Sequence, residues 1–264
     1  MQAVILAGGQ GTRLKSVTTA IAKPMLLIGE KPLLEHQVAL LKSYGITEIF
    51  ILVNHLKESI QHYFGTGEKH GVSITYYEEE MPLGTVGGVK AIEDKITGDF
   101  LLIYGDVMFS MDLSRLRDFH HQKKSDCTLV LHPNDHPYDS DLVEIDPFGR
   151  ITAFHAKPHN PDAYYRNLVN AGVYILSQKI FTFLEKDKKA DFGKDIFPTL
   201  VNRISMFGYN TSEYLKDMGT PDRLKKVSDD YRRGKIALRN LTQQQKAIFL
   251  DRDGVLNEDT HLIK

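Results

Sequence analysis

Residues 2–6 form a short, mostly apolar run that breaks at once into Gly8 and Gly9, the pattern of a buried strand ending in a loop. Over 32–44, Leu33, Leu34, Val38, Leu41 and Tyr44 recur at helical spacing, with Pro32 suited to the first turn and Gly45 to the stop. Residues 49–53 read as a strand, 57–64 as a helix, 72–77 as a strand and 85–94 as a helix. A fully apolar strand over 100–104 then runs into Gly105-Asp106. Strand and helix thus alternate three times in the first 106 residues, which predicts an α/β fold: a mostly parallel sheet with helices on both faces. Ligands of such sheets bind beyond the carboxyl ends of the strands, and both Gly8-Gly9 and Gly105-Asp106 lie at such ends.

The pattern changes near residue 126. Strands are predicted at 127–131, 142–145, 151–155 and 173–176 with no long helix between them, an antiparallel or mixed insertion suited to a second substrate. Helices return at 193–203 and 220–233, flanking a strand pair around 204–215. Residues 234–245 are polar and read as a linker, and 246–250 as the first buried strand of a further unit. This divides the chain into 1–233, 234–245 and 246–264.

Composition narrows the class. With 33 basic against 34 acidic residues the net charge is −1, so no electrostatic footprint for nucleic acid or an anionic membrane is present. The single cysteine, Cys127, excludes an internal disulfide and sits in an apolar strand as inert core. No stretch approaches about 18 uninterrupted apolar residues, and the N-terminus carries no basic leader; both point to a cytoplasmic protein. The histidines at 120, 121, 132, 136, 155 and 159 lack the helical pairing with a carboxylate that zinc enzymes use.

The segment Leu6-Ala7-Gly8-Gly9-Gln10-Gly11-Thr12-Arg13-Leu14 lacks the third glycine of a dinucleotide fingerprint and the Gly-Lys-Ser/Thr of a P-loop. Its glycines still let backbone N–H groups approach phosphate oxygens, with Arg13 and Lys23 as added cations. Followed by Lys23-Pro24-Met25, this string resembles the signature of the sugar-nucleotide pyrophosphorylases, and the resemblance extends to about residue 233. It implies a Rossmann-like three-layer sandwich with a mixed sheet and an inserted β-rich sugar-binding region. The implied reaction joins a nucleoside triphosphate to a sugar 1-phosphate and releases pyrophosphate. Leu6, Ala7, Gly8, Gly9, Gly11 and Thr12 would then line the nucleotide, Arg13 hold the departing pyrophosphate, and Lys23 the phosphates near the reacting centre. Ser16 and Ala22 stand where the family often has prolines.

Nucleotidyl transfer needs in-line positioning and neutralisation of charge, which Mg2+ on one or two carboxylates provides. The resemblance assigns that ion to Asp106 and to Asp217 of Lys216-Asp217-Met218-Gly219-Thr220. Glu79, Pro82, Gly84 and Thr85 resemble the base-reading loop. A carboxylate at Glu79 can accept from both donors of a guanine edge, which favours GTP over a pyrimidine triphosphate. On the sugar side, Lys157-Pro158 resembles the phosphate-binding Lys-Pro, although Ala156 replaces the usual glutamate. Asn170 and Gly172 fall on the strand beneath the sugar. Asp141 stands where relatives often carry glycine, and together with Glu144 is read as contacting sugar hydroxyls.

Residues 249–257 resemble the first motif of the haloacid dehalogenase-type phosphatases, with Asp251 as nucleophile and Asp253 as acid/base. The later motifs of that family are absent from the sequence, so phosphatase activity is not expected of it. By analogy with heptose bisphosphate phosphatases, this tail makes D-glycero-D-manno-heptose 1-phosphate the expected acceptor. Mannose 1-phosphate, another nucleoside triphosphate, or a non-catalytic sugar-nucleotide binder are the alternatives. The sequence leaves open a phosphatase domain fused in a longer parent, and self-association.

Overall fold

A computed structural model describes residues 1–9, 21–54, 56–79, 83–244, 247–251 and 255. The first half follows the predicted alternation. Strand β1 (Gln2–Leu6) buries Ala3, Val4 and Ile5 completely, as a central strand covered on both faces must. A short antiparallel hairpin, β2 (Leu27–Ile28) and β3 (Lys31–Pro32), leads into α1 (Leu33–Ser43), which buries Leu33, Leu34, Gln37, Val38 and Leu41. Then come β4 (Glu48–Val53), α2 (Lys57–Phe64), β5 (Ser73–Glu78), α3 (Gly84–Ala91) and β6 (Phe100–Tyr104). Strand β1 pairs in parallel with β4 and β6, and β4 with β5. The carboxyl ends of β1, β4, β5 and β6 therefore share one edge.

The elements that the sequence did not show include β7 (Val107–Ser110) and α4 (Leu113–Gln122), which is capped by the Asp112 carboxylate on the Ser114 and Arg115 amides. The buried side of α4 is Leu113, Leu116 and His120, so a histidine occupies a position where helical periodicity looks for a hydrophobe. The expected insertion is an extension of the same sheet. Strands β8 (Cys127–His132), β9 (Leu142–Ile145), β10 (Ile151–His155) and β11 (Val169–Leu176) join it through β11, which lies antiparallel to β6.

The strand pair expected around 204–215 is corrected. β12 (Met206–Asn210) runs parallel to β8 in the large sheet, whereas β13 (Tyr214–Asp217) pairs antiparallel with β7. The turn between them, which buries Thr211 and Glu213, carries the chain from one sheet to the other. The helix expected over 193–203 is a π turn, Phe192–Ile196, running into the short α5 (Phe197–Leu200). Helix α6 (Pro221–Arg232) begins at Thr220, whose hydroxyl accepts from the Arg223 amide.

The segment read as a linker is partly docked. α7 (Lys235–Leu238) buries Ile236, Asn240 is buried, and the Leu241 amide donates to Glu213 Oε1 at 2.9 Å. A buried carboxylate needs donors, and this backbone supplies one of them. Residues 247–250 form no strand, and Ile248, Phe249 and Leu250 are exposed, against the expectation of a buried strand. An extended segment buries its apolar side chains only against a sheet, and none pairs with this one among the described residues. No helix among the described residues is long and apolar enough to cross a membrane.

Candidate active site

Beyond the shared carboxyl edge of β1, β4, β5 and β6 lies a cavity of about 310 Å³. Its lining includes Leu6 to Gly9, Lys23, Glu79, Gly84, Thr85 and Asp106. The backbone continues the ladders into the loops: Ala7 N donates to Leu52 O, Gly105 N to Leu6 O and Glu79 N to Val53 O. The glycines permit the crowding. A Cβ on Gly105 would stand 2.7 Å from Leu6 O, and one on Gly8 would meet Asn54 and the Glu79 carboxylate.

The floor is tied to a second loop. Val86 N donates to Ala190 O and Ala190 N to Leu83 O, while the Thr85 hydroxyl donates to Asp191 Oδ2 at 2.9 Å. Asp191 in turn caps the π turn through the Gly193 and Lys194 amides. Gly84 sits at φ +78 with its Cα facing Ala190 O, where a Cβ would lie 2.2 Å away. The Glu79 carboxylate lies between Gly8 and Gly88. Half-burial pushes its pKa above the usual carboxylate value, moderated by a hydrogen bond from the Gly88 amide.

Asp106 and Asp217, 111 positions apart by subtraction of their residue numbers, meet because β13 pairs with β7. Val107 faces Asp217 in register, and Met218 N donates to Asp106 O at 2.9 Å. From α1, the buried Gln37 amide donates to Tyr104 O at 3.1 Å and Val107 O at 2.7 Å, fixing the turn that carries Asp106. Each aspartate already holds a cation: Lys23 Nζ lies 3.4 Å from Asp106 Oδ2, and Arg223 Nη1 donates to Asp217 Oδ1 at 2.8 Å. Burial alone would raise the Asp217 pKa; the Arg223 charge and hydrogen bonds from Arg223 and Gly219 outweigh it and keep the carboxyl below its ordinary value. Two carboxylates beside this cavity suit a hard cation such as Mg2+, which takes few protein ligands and completes its shell with phosphate oxygens and water. No cluster of three His, Cys, Asp or Glu side chains suited to a metal occurs among the described residues. Asp106 and Asp217 supply two carboxylates, which fits an ion that takes its remaining ligands from substrate and water.

Against this geometry, residues 2–234 match the family model described as nucleotidyl transferase. The chain belongs to that family. A mannose-1-phosphate guanylyltransferase of Mycobacterium tuberculosis is 32% identical over 89% of this chain and 65% of its own length. A D-glycero-alpha-D-manno-heptose 1-phosphate guanylyltransferase of Aneurinibacillus thermoaerophilus is 32% identical over 87% of the chain and 98% of its own length. A UTP–glucose-1-phosphate uridylyltransferase of Synechocystis is also 32% identical, over 76% of the chain and 55% of its own length. The chain thus spans less than two thirds of the mannose and glucose relatives and nearly all of the heptose relative. Among solved structures, HddC from Yersinia pseudotuberculosis complexed with GMP-PN superposes with a TM-score of 0.74 at 27% identity, covering 87% of this chain and 99% of that one.

Within this nucleotidyl transferase the predicted residues divide into four groups. Leu6, Ala7, Gly8, Gly9, Lys23, Glu79, Gly84, Thr85 and Asp106 line the one cavity, with Asp217 joined to it through the backbone of Asp106. Lys157, Asp141, Asn170 and Gly172 lie on the neighbouring side. Asp141 Oδ1 accepts from the Lys157 amide at 3.2 Å, and its other oxygen crowds the position a Cβ on Gly193 would take. Asn170 N donates to Asp141 O, and Gly172, at φ +75, lets β11 pass close over Tyr104. Glu144 is not brought to the cavity: it is exposed and bonded to His155 Nε2 at 2.9 Å. Gly11, Thr12, Arg13, Pro82 and Asp253 lie outside the described residues, and Asp251 is exposed.

Sequence reasoning missed Asp191, Gln37, Asp139 and Arg223. Asp191 carries only the ordinary signal of a helix N-cap, and its partner Thr85 is 106 residues away. Gln37 reads as one polar position in an apolar helix face; its burial was the available signal only once the turn at Asp106 was known.

Proposed function

We propose that this chain is a Mg2+-dependent guanylyltransferase that transfers GMP from GTP to a sugar 1-phosphate and releases pyrophosphate. The favoured acceptor is D-glycero-D-manno-heptose 1-phosphate, with mannose 1-phosphate second. The observation that carries the reading is the single cavity in which Gly8-Gly9, Lys23, Glu79 and Asp106 stand together. Two of the relatives described above are guanylyltransferases, and the HddC neighbour is complexed with GMP-PN, which supports the choice of base.

In this reading the backbone of Gly8 and Gly9 cradles the phosphates, while Glu79 accepts hydrogen bonds from the N1–H and N2–H groups of guanine. Uracil and thymine offer one donor on that edge, so a carboxylate pairs with them poorly. Lys23 Nζ, beside Asp106, offsets charge at the α-phosphate. An oxygen of the acceptor phosphate attacks the α-phosphorus in line; the new P–O bond forms as the bond to the bridging β-oxygen breaks, and pyrophosphate departs. A divalent ion shared by Asp106 and Asp217 supplies neutralisation of the non-bridging oxygens when bound. The loop pairing of Gly84-Thr85 with Ala190-Asp191 fixes the wall against which the nucleoside packs.

The test mixes the chain with Mg2+, each of four nucleoside triphosphates and a panel of sugar 1-phosphates (heptose, mannose and glucose), and measures pyrophosphate release. Release with GTP and the heptose or mannose acceptor is expected. Release with UTP or dTTP alone overturns the base assignment, and no release with any pair overturns the enzyme.

A further inference from the structure

Beside Asp217, three charged groups from distant parts of the chain converge. Arg223, three residues into α6, is held by its neighbours: its side chain is 13% exposed, with Nη1 on Asp217 Oδ1 at 2.8 Å and Nη2 on Asp139 Oδ2 at 2.5 Å. Lys157 Nζ donates to Asp139 O at 2.8 Å and stands 3.9 Å from Asp139 Oδ1. Asp139 closes the one-turn helix Pro137–Asp139, and its side chain is half-exposed. A guanidinium and an ammonium therefore flank a single two-oxygen anion beside Asp217. Cations spaced to share one carboxylate are spaced to share one phosphate, and a planar guanidinium binds phosphate oxygens in pairs. The position is also chemically apt: through Nη1 the same arginine is fixed to Asp217, so an anion on its other edge lies next to the reacting centre.

We propose that Arg223 is a second phosphate-binding cation of the acceptor site, facing Lys157, and that Asp139 occupies the place of the sugar 1-phosphate until that substrate displaces it. This rests on the nucleotidyltransferase reading above and adds a residue that the sequence motifs did not assign. On acceptor binding the Asp139 carboxylate swings to solvent, and the phosphate takes over its contacts with Arg223 Nη2 and Lys157 Nζ. The dianion is then better paired than the carboxylate it replaces.

The experiment uses the full chain, Arg223→Lys and Asp139→Asn, with mannose 1-phosphate and D-glycero-D-manno-heptose 1-phosphate as acceptors. Steady-state KM values are measured for acceptor and for GTP. Acceptor affinity is also measured by calorimetry with GTP present and EDTA added, so that binding is read without turnover. Arg223→Lys keeps the charge and loses the paired donors; it should raise acceptor KM and Kd by about 10- to 100-fold while the GTP Kd, which also reports correct folding, stays within about twofold. Asp139→Asn removes the competing anion and should tighten acceptor binding by about 2- to 10-fold. An unchanged acceptor affinity in Arg223→Lys, with only the Mg2+ midpoint moved, would reduce Arg223 to a tether for Asp217 and overturn the proposal. Weaker acceptor binding in Asp139→Asn would overturn the displacement. Wild-type turnover with both variants unaltered removes this inference alone; a wild-type chain that neither turns over nor binds either acceptor removes the functional reading with it.

Discussion

Replacing Glu79 with glutamine tests the base assignment at one atom. The carboxylate lies against the cavity between Gly8 and Gly88, and one lone pair already accepts from the Gly88 amide. In the proposed placement the remaining lone pairs take both donors of guanine. Glutamine keeps one acceptor and turns an amide donor toward the second guanine donor, so one charge-assisted bond is lost and a donor is left facing a donor. A bond to a charged group contributes about 1.5–3 kcal/mol and an unpaired buried donor costs about 1–3 kcal/mol, which partial solvent access reduces to a sum of roughly 2–4 kcal/mol. At 1.4 kcal/mol per decade, this is a rise of about 30- to 700-fold in the GTP Kd. The acceptor-plus-donor edge of glutamine suits uracil and thymine, so the ratio of UTP to GTP utilisation should rise at the same time. Nucleotide titrations of both proteins, monitored by calorimetry, measure it. A second reading comes from pH: because burial raises the Glu79 pKa, GTP affinity should fall as pH drops through a value above the ordinary carboxylate range, and this inflection should vanish in Glu79→Gln. An unchanged GTP Kd in the variant would refute the placement of the base against Glu79.

Three further outcomes are expected. Gly84→Ala puts a Cβ 2.2 Å from Ala190 O at φ +78, so the 83–86 and 190–192 loops must part; nucleotide Kd should weaken more than about 10-fold, and unaltered binding would show that this loop pairing does not shape the pocket. Gln37→Leu leaves the Tyr104 and Val107 carbonyls without their side-chain donor, so urea denaturation should show a loss of about 2–4 kcal/mol and Mg2+ titration a weaker midpoint; a stability within about 0.5 kcal/mol of the parent would contradict the role given to Gln37. His120 is buried, with Nδ1 2.8 Å from Thr128 Oγ1 and Nε2 3.3 Å from Asp99 Oδ2; burial lowers its pKa more than Asp99 restores it. Since the folded value lies below the unfolded one of about 6.5, its contribution to stability is complete above that pH and is lost as pH falls through the folded value. The urea midpoint should therefore drop between pH 7.5 and 5, less steeply in His120→Gln, and equal slopes would count against it.

What the sequence made legible was local. β1, α1 and β6 announce themselves by runs and periods confined to about a dozen residues, and Gly105-Asp106 stands out because a polar residue ends a fully apolar strand. Asp217 was reachable only through family resemblance, since what brings it to Asp106 is the pairing of two four-residue strands, β7 and β13, neither of which has a period long enough to register. The same holds for Thr85 with Asp191, and for Arg223 with Asp139, whose hydrogen bonds span 106 and 84 residues. Side-chain pairs of that separation leave no mark on hydrophobic patterning. α4 was hidden for another reason: His120 satisfies its ring nitrogens inside the core and so fills an apolar position with a polar residue type. The tail erred in the opposite direction, because Ile248 to Leu250 have the composition of a buried strand without a described sheet to bury them.

The central claim is that carboxylates from β7's leading turn and from the end of β13 share one divalent ion at the nucleotide site. Electron paramagnetic resonance of Mn2+, titrated into the full chain with a non-hydrolysable GTP analogue, tests it directly. One ion bound per chain, lost to the spectrum of the Mn2+–nucleotide complex free in solution in Asp106→Asn and equally in Asp217→Asn, is the predicted result. An ion retained at parental affinity by either variant would contradict the account.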